Sequence, residues 1–121
     1  MESEQLSVFV SPGTLEGERI IKVNGRLIMS SLLEFQNALR AEKAPSLILD
    51  LSQVSYIDSA GLGAVAGAHV SCVNAGRHFA IVGPSERVRA LFKIARMEQV
   101  LLIFPTLQDA ERERLKKRAK T

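Results

Sequence analysis

Three short, nearly continuous apolar runs punctuate this chain: LILDL at 47–51, HFAIV at 78–82 and VLLIF at 100–104. Each is followed, directly or after a loop, by a stretch with helical periodicity. Runs of this kind suit strands buried on both faces of a sheet that helices cover. Strands alternating with helices imply right-handed crossovers and a mostly parallel sheet. That pattern constrains the fold more than any composition figure does.

Two further β-prone runs, LSVFV at 6–10 and RIIKV at 19–23, come first, with the turn material SPGTLEGE between them. No helix separates them, so they are expected to pair antiparallel and make the sheet mixed. Asn24-Gly25 is a turn signal that should close the second strand. Leu32, Phe35 and Leu39 recur on one helical face, predicting a helix over 31–41 with Ser30 or Ser31 as its cap and Pro45 beyond its end. A second helix of unusually small residues is expected over 59–74. Its stop is Ala75-Gly76-Arg77, with Gly76 free to take a positive φ. Ser85 should cap a third helix, whose face is Val88, Leu91, Phe92 and Ala95. Thr106 and Asp109 form a capping-box-like start for the last one. The predicted order is β-β-α-β-α-β-α-β-α: a single α/β domain with a mixed, mostly parallel sheet of about five strands and about four helices.

With 121 residues and 46% hydrophobic content, one domain with a modest core is expected. No apolar run is long enough to span a bilayer, and MESEQLSVFV lacks the pattern of a secretory leader, which points to a cytoplasmic protein with no membrane contact. Cys72 is the only cysteine and lies in an apolar helical pattern, so it reads as a small packing residue. The net charge of +3 is uneven. ERERLKKRAKT, 111–121, holds six Lys or Arg against two Glu, so the remainder carries about −1. That balance argues against direct nucleic-acid binding. The tail reads as a solvated helix end, where cations favour the dipole.

The stretch SYIDSAGLGAVAG, 55–67, is the candidate site. As a dinucleotide loop it fails on position. The strand is expected to end near Leu51, far from Gly61, and Ile81-Val82-Gly83 offers no acid for a ribose. The glycines and alanines of this helix instead allow it to lie close on the sheet. As a nucleophile, Ser59 lacks a base: His69 lies roughly 15 Å along the same helix at about 1.5 Å per residue, and nothing aims His78 at it. As a switch, the stretch makes physical sense. Asp58 and Ser59 fall at a helix N-terminus, where amides are unpaired and an anion is tolerated. A phosphoryl group on Ser59 would add about −1.5 to −2 charges without disturbing the fold.

The pattern Leu49-Asp50-Leu51 followed by Val54-Ser55-Tyr56-Ile57-Asp58-Ser59-Ala60-Gly61-Leu62-Gly63 resembles the STAS family, in particular the bacterial anti-sigma-factor antagonists. Gly76-Arg77 and Val88-Arg89-Ala90-Leu91-Phe92-Lys93-Ile94 extend the resemblance over residues 5–115. It implies a single STAS domain that is not an enzyme and uses no cofactor or metal. In such proteins the serine after the aspartate is phosphorylated by a partner that is both anti-sigma factor and serine kinase, of the histidine-kinase-like ATPase fold. A PP2C-type phosphatase reverses this. The unmodified form sequesters the partner and frees a sigma factor. Carried over, the phosphosite is Ser59, and the partner-binding residues are Asp58, Ser59, Ala60, Gly61, Leu62, Gly63 and Ile28; homodimerisation stays open. Two positions depart from the pattern: Ile28 stands where many relatives have an acid, and Ala60 replaces the second serine of D-S-S-G. A STAS module of another assembly, such as a stressosome-like or lipid-transport ATPase complex, and an unrelated α/β enzyme or nucleotide binder remain as alternatives.

Overall fold

The computed structural model describes residues 6–119. Five strands form one sheet in the order of the chain: β1 (Ser7–Pro12), β2 (Glu18–Leu27), β3 (Ser46–Ile57), β4 (His78–Val82) and β5 (Ile103–Phe104). β1 runs antiparallel to β2, and every later pair is parallel, as expected from the missing helix between the first two strands. Four α-helices connect or follow them: α1 (Leu32–Ala41), α2 (Ser59–Asn74), α3 (Glu86–Ile94) and α4 (Leu107–Ala119). No helix among the described residues is long and apolar enough to cross a membrane.

Alternation along the strands sorts side chains onto two faces. Leu47, Leu49, Leu51, Phe79 and Ile81 pack with Phe35 of α1, Val65 and Cys72 of α2, and Val88 and Phe92 of α3. Ile48, Ala80 and Val82 face the other way and meet Ala110 of α4. The central runs are therefore apolar throughout because helices cover both sides. Cys72 is buried in the first layer, which pushes its thiol pKa up and fits a packing role.

Helix boundaries follow their signals. Ser85 Oγ accepts from Val88 N at 3.2 Å, and Thr106 Oγ1 accepts from Asp109 N at 3.1 Å. Gly76, at φ 71°, ends α2. Ser31 stands at the start of α1 but does not cap it. Its hydroxyl accepts from Ile28 N at 3.1 Å and donates to the Arg26 carbonyl at 2.6 Å, closing a 3-10 turn over Met29–Ser31.

Three strand limits differ from expectation. Asn24-Gly25 is not a turn: β2 continues through it to Leu27, with Gly25 at φ 128° between two register shifts. β3 extends to Ile57 rather than ending near Leu51, and so supplies the partners Val54 and Tyr56 that keep Gly25 and Arg26 in the sheet. β5 is two residues long, because Val100 lies in an exposed turn.

The basic chain end also holds more than a solvated helix. Lys116, Lys117 and Arg118 do lie exposed in the last turn of α4. Glu111, however, is buried against Glu18 of β2, at 9% and 3% exposure. Burial, with the neighbouring Glu111 carboxyl, pushes the Glu18 carboxyl up to about 7. Burial would raise Glu111 too, but its neighbour Glu18 and the Thr14 amide, which donates to its Oε2 at 3.3 Å, hold it below the usual range. Glu18 is therefore the protonated member of the pair below that pH. An acid with a raised folded pKa contributes stability that is lost as pH climbs through that pKa. The melting temperature should therefore fall between pH 5 and pH 8, where Glu18 ionises at about 7. In Glu18→Gln that decline should flatten, as read by circular dichroism melts; equal slopes in both proteins would refute the raised Glu18 pKa.

Candidate functional site

The extension of β2 and β3 past the end of β4 builds the site. At that end of the sheet only Asp58 separates β3 from α2. Asp58 is the N-cap of α2, in extended conformation, and its Oδ1 accepts from Gly61 N at 2.8 Å. Its Oδ2 accepts from Met29 N at 3.0 Å, and its own amide donates to the Leu27 carbonyl at 3.2 Å. One side chain thus ties the end of β2 to the start of α2. Burial opposes ionisation of this carboxyl. The amides of Gly61, Met29 and Ala60, with the Arg26 guanidinium, outweigh that and hold its pKa below the usual carboxylate range.

Ser59 is the first residue of α2 and is exposed. The cap is made by its neighbour, so the helix start does not depend on its hydroxyl. Ile28 is brought beside it by the Asp58–Met29 bond, with Ala60 and Leu62 half-buried and Gly63 exposed. Gly61 points the other way. A Cβ there would lie 2.2 Å from the Leu27 carbonyl oxygen and 2.7 Å from Ile57 Cγ2. It is a packing glycine that lets α2 close onto β2. Gly63 and Gly67 are not: a Cβ at either would meet nothing within 4 Å. They border a groove of about 400 Å3 between α1 and α2.

The distance argument against a dinucleotide loop does not survive, since β3 reaches Ile57. Two features still oppose that reading: the Asp58 carboxylate occupies the Gly61 amide, and β4 ends on Val82. Neither histidine serves Ser59. His69 stacks near Phe79, with ring centroids 6.2 Å apart. His78 sits at the opposite end of the sheet, its Nδ1 3.3 Å from Ser46 Oγ. Burial, then the charges of Arg114, Lys117 and Arg118, hold its pKa down at about 4.

Sequence reasoning missed part of this surface. Met29 and Leu33 are 73% and 66% exposed beside the site. Two guanidinium groups come near the Tyr56 ring, with Arg26 Cζ 6.0 Å and Arg87 Cζ 5.4 Å from its centroid. An apolar residue at the start of a helical pattern gives no sign that it faces solvent, and Arg87 is distant in sequence from Tyr56.

A mixed five-stranded sheet with helices on both faces, presenting an exposed serine at a carboxylate-capped helix start, defines a small α/β domain built around one accessible end of its sheet. The STAS domain profile matches residues 10–110, and the chain belongs to the STAS domain family. A Staphylococcus epidermidis protein named anti-sigma-B factor antagonist is 31% identical over 84 residues, 67% of this chain and 78% of that protein. A Thermotoga neapolitana protein, provisionally named an anti-sigma factor antagonist, is 34% identical over 67 residues, 55% of this chain and 59% of its own length. The chain thus spans under two thirds of that relative. An anti-sigma factor antagonist from Mycobacterium paratuberculosis has the same fold, with a TM-score of 0.79 and 22% identity over 89% of this chain and 92% of that one.

The two kinds of glycine predict opposite outcomes in urea melts. Gly61→Ala should cost about 3 kcal/mol, as an overpacked contact against backbone does. Gly63→Ala should be neutral or stabilise by about 0.5–1 kcal/mol, since alanine favours a helix interior. Asp58→Ala should cost about 1–2 kcal/mol by removing the cap and the bond to Met29. Equal effects of the two glycine substitutions would contradict the close approach at Leu27.

Proposed function

We propose that this chain is an anti-sigma factor antagonist controlled by phosphorylation of Ser59. The observation that carries the reading is the exposure of Ser59 at the first position of α2, with the helix cap made by Asp58. A phosphoryl group can be added there without breaking a bond that the fold uses. The names of the Staphylococcus and Thermotoga relatives support the antagonist role.

In this reading the unmodified chain binds an anti-sigma factor that is also a serine kinase of the histidine-kinase-like ATPase fold. The docking face is Ser59, Ala60, Leu62, Gly63 and Ile28, with exposed Met29 and Leu33 adding apolar area. Asp58 and Gly61 shape that face from behind. Phosphorylation places about −1.5 to −2 charges at its centre. A penalty of about 3 kcal/mol is enough to weaken binding roughly a hundredfold and release the partner. A PP2C-type phosphatase resets the switch in the cytoplasm.

Incubation with the cognate kinase and ATP, followed by mass spectrometry, should place the phosphate on Ser59. Phosphate found only on the exposed Ser55 or Ser71 would move the site. In titration calorimetry Ser59→Ala should bind the kinase like wild type. Ser59→Glu, a weaker mimic of phosphate, should bind at least about tenfold less tightly, a difference of about 1.4 kcal/mol.

A further inference from the structure

The groove between α1 and α2 joins an apolar trough to a cluster of cations. Leu39 of α1, Ala64, Ala68 and Cys72 of α2, and Leu47 of β3 line the trough. Gly63 and Gly67 border it, and a Cβ at either would meet nothing within 4 Å, so the missing side chains leave it open. The charged residues that line it are Arg40, Lys43 and Arg77, with no acid among them. All three come to one end. Arg40 lies in the last turn of α1, Lys43 just past it, and Arg77 just past α2. Arg77 ties those helix ends together: its Nε donates to the Ala44 carbonyl at 2.7 Å, and a terminal nitrogen donates to the Glu42 carbonyl at 3.1 Å. Both acceptors are neutral, so the charge of Arg77 is not cancelled. The Glu42 carboxylate is turned to Arg19, at 3.3 Å. Arg40 and Lys43 are exposed, and among the described residues neither side chain has a hydrogen-bond or ion-pair partner. Cations at helix C-termini are favoured by the dipole alone. The dipole does not explain an open apolar trough leading up to them.

We propose that this groove binds a medium-chain fatty acyl carboxylate, its chain laid along Leu39, Leu47, Ala64 and Ala68 and its carboxylate held at Arg40 and Lys43. A mostly apolar cleft with a few charged groups gathered at one end is the usual form of a small-molecule site. Size sets the chain length. At roughly 30 Å3 per small group, the share that one water takes in the liquid, the groove of about 400 Å3 holds on the order of a dozen non-hydrogen atoms. Decanoate is of that size. A partner helix, about 10–12 Å across with its side chains, would rest on the rim rather than enter. Arg40 offers a planar fork to the carboxylate and Lys43 a point charge, while Arg77 adds a positive field behind them. The inference is independent of phosphorylation at Ser59.

Decanoate, octanoate and decanol, each below its micelle or solubility limit, are titrated into the 15N-labelled full chain. Decanoate should shift the amides of Arg40, Gly63, Gly67 and Ser71 saturably, with a Kd of about 0.1–1 mM. Octanoate, shorter by two methylenes, should bind about tenfold more weakly. Decanol keeps the chain but lacks the charge, and should bind about threefold to fivefold more weakly, as befits exposed cations. Arg40→Gln with Lys43→Gln should weaken decanoate by the same factor and leave decanol unchanged. Gly67→Leu should abolish decanoate binding while melting at or above the wild-type temperature, because the new side chain enters open space and leucine is the better helix former. The absence of saturable shifts would overturn the proposal. So would shifts scattered over the exposed Phe9, Ile94 and Val100, which would mark adsorption to apolar surface. Equal affinity for decanoate and decanol would refute the cationic end of the site, and undiminished decanoate binding by folded Gly67→Leu would refute the groove.

Discussion

The Asp58 carboxylate accepts from the Gly61 and Met29 amides at once, and through them it holds the end of β2 against the first turn of α2. The shape of this end of the sheet depends on that pair of hydrogen bonds. It sets the entry of α2, it fixes the short turn carrying Ile28 and Met29, and it leaves the next residue, Ser59, outside the capping arrangement. A carboxylate can do this because it has two oxygens and needs no proton. The amides that satisfy it also hold its pKa below the usual carboxylate range, against the opposing effect of burial.

The close approach at Gly61 is the steric counterpart of that bond. With the Leu27 carbonyl oxygen only 2.2 Å from where a Cβ would stand, any larger residue would push α2 away from the sheet and stretch both Asp58 bonds. The length of β2 and β3 matters for the same reason. Their pairing runs past the part of the sheet that β4 covers, since β4 pairs only with Ser46–Asp50 of β3. The site is thus carried on a two-stranded extension, one face of which, through Leu27, Val54 and Ile57, still packs in the core. Exposed Ser52, Gln53 and Ser55 on that extension interrupt the apolar run that marks the buried part of β3.

That interruption explains what could be read from the sequence and what could not. Element order and sheet class were legible because buried strands and amphipathic helices write different periods into the chain, and the caps at Ser85 and Thr106 stand where polar residues precede those periods. The far half of β3 was not legible, because past Leu51 only Val54 and Ile57 stay buried and the exposed Ser52, Gln53 and Ser55 break the apolar run. The Asn24-Gly25 pair signals a turn, yet here Gly25 serves the irregular register that lets β2 follow β3 outward. The adjacency of Asp58 and Ser59 to a helix start was legible. That Asp58 reaches back to Met29, that Gly61 alone among the α2 glycines is a packing residue, and that Arg26 and Arg87 converge on Tyr56 are all consequences of tertiary approach. The Glu18–Glu111 pair was hidden for the opposite reason: charged residues in a basic, hydrophilic tail read as solvated, and only docking of α4 on the sheet buries one of them.

The two ends of the sheet therefore carry different tasks. At the strand starts, Glu18 and Glu111 join β2 to α4, and His78 is kept neutral by burial and by the cations of that helix. These groups bear on how firmly α4 is held. At the strand ends, Asp58 supplies the cap and the Ser59 hydroxyl is left to solvent. Ser59 is exposed at the first position of α2, and the length of β2 separates that end from the carboxyl pair. The packed core involves neither Ser59 nor Arg26.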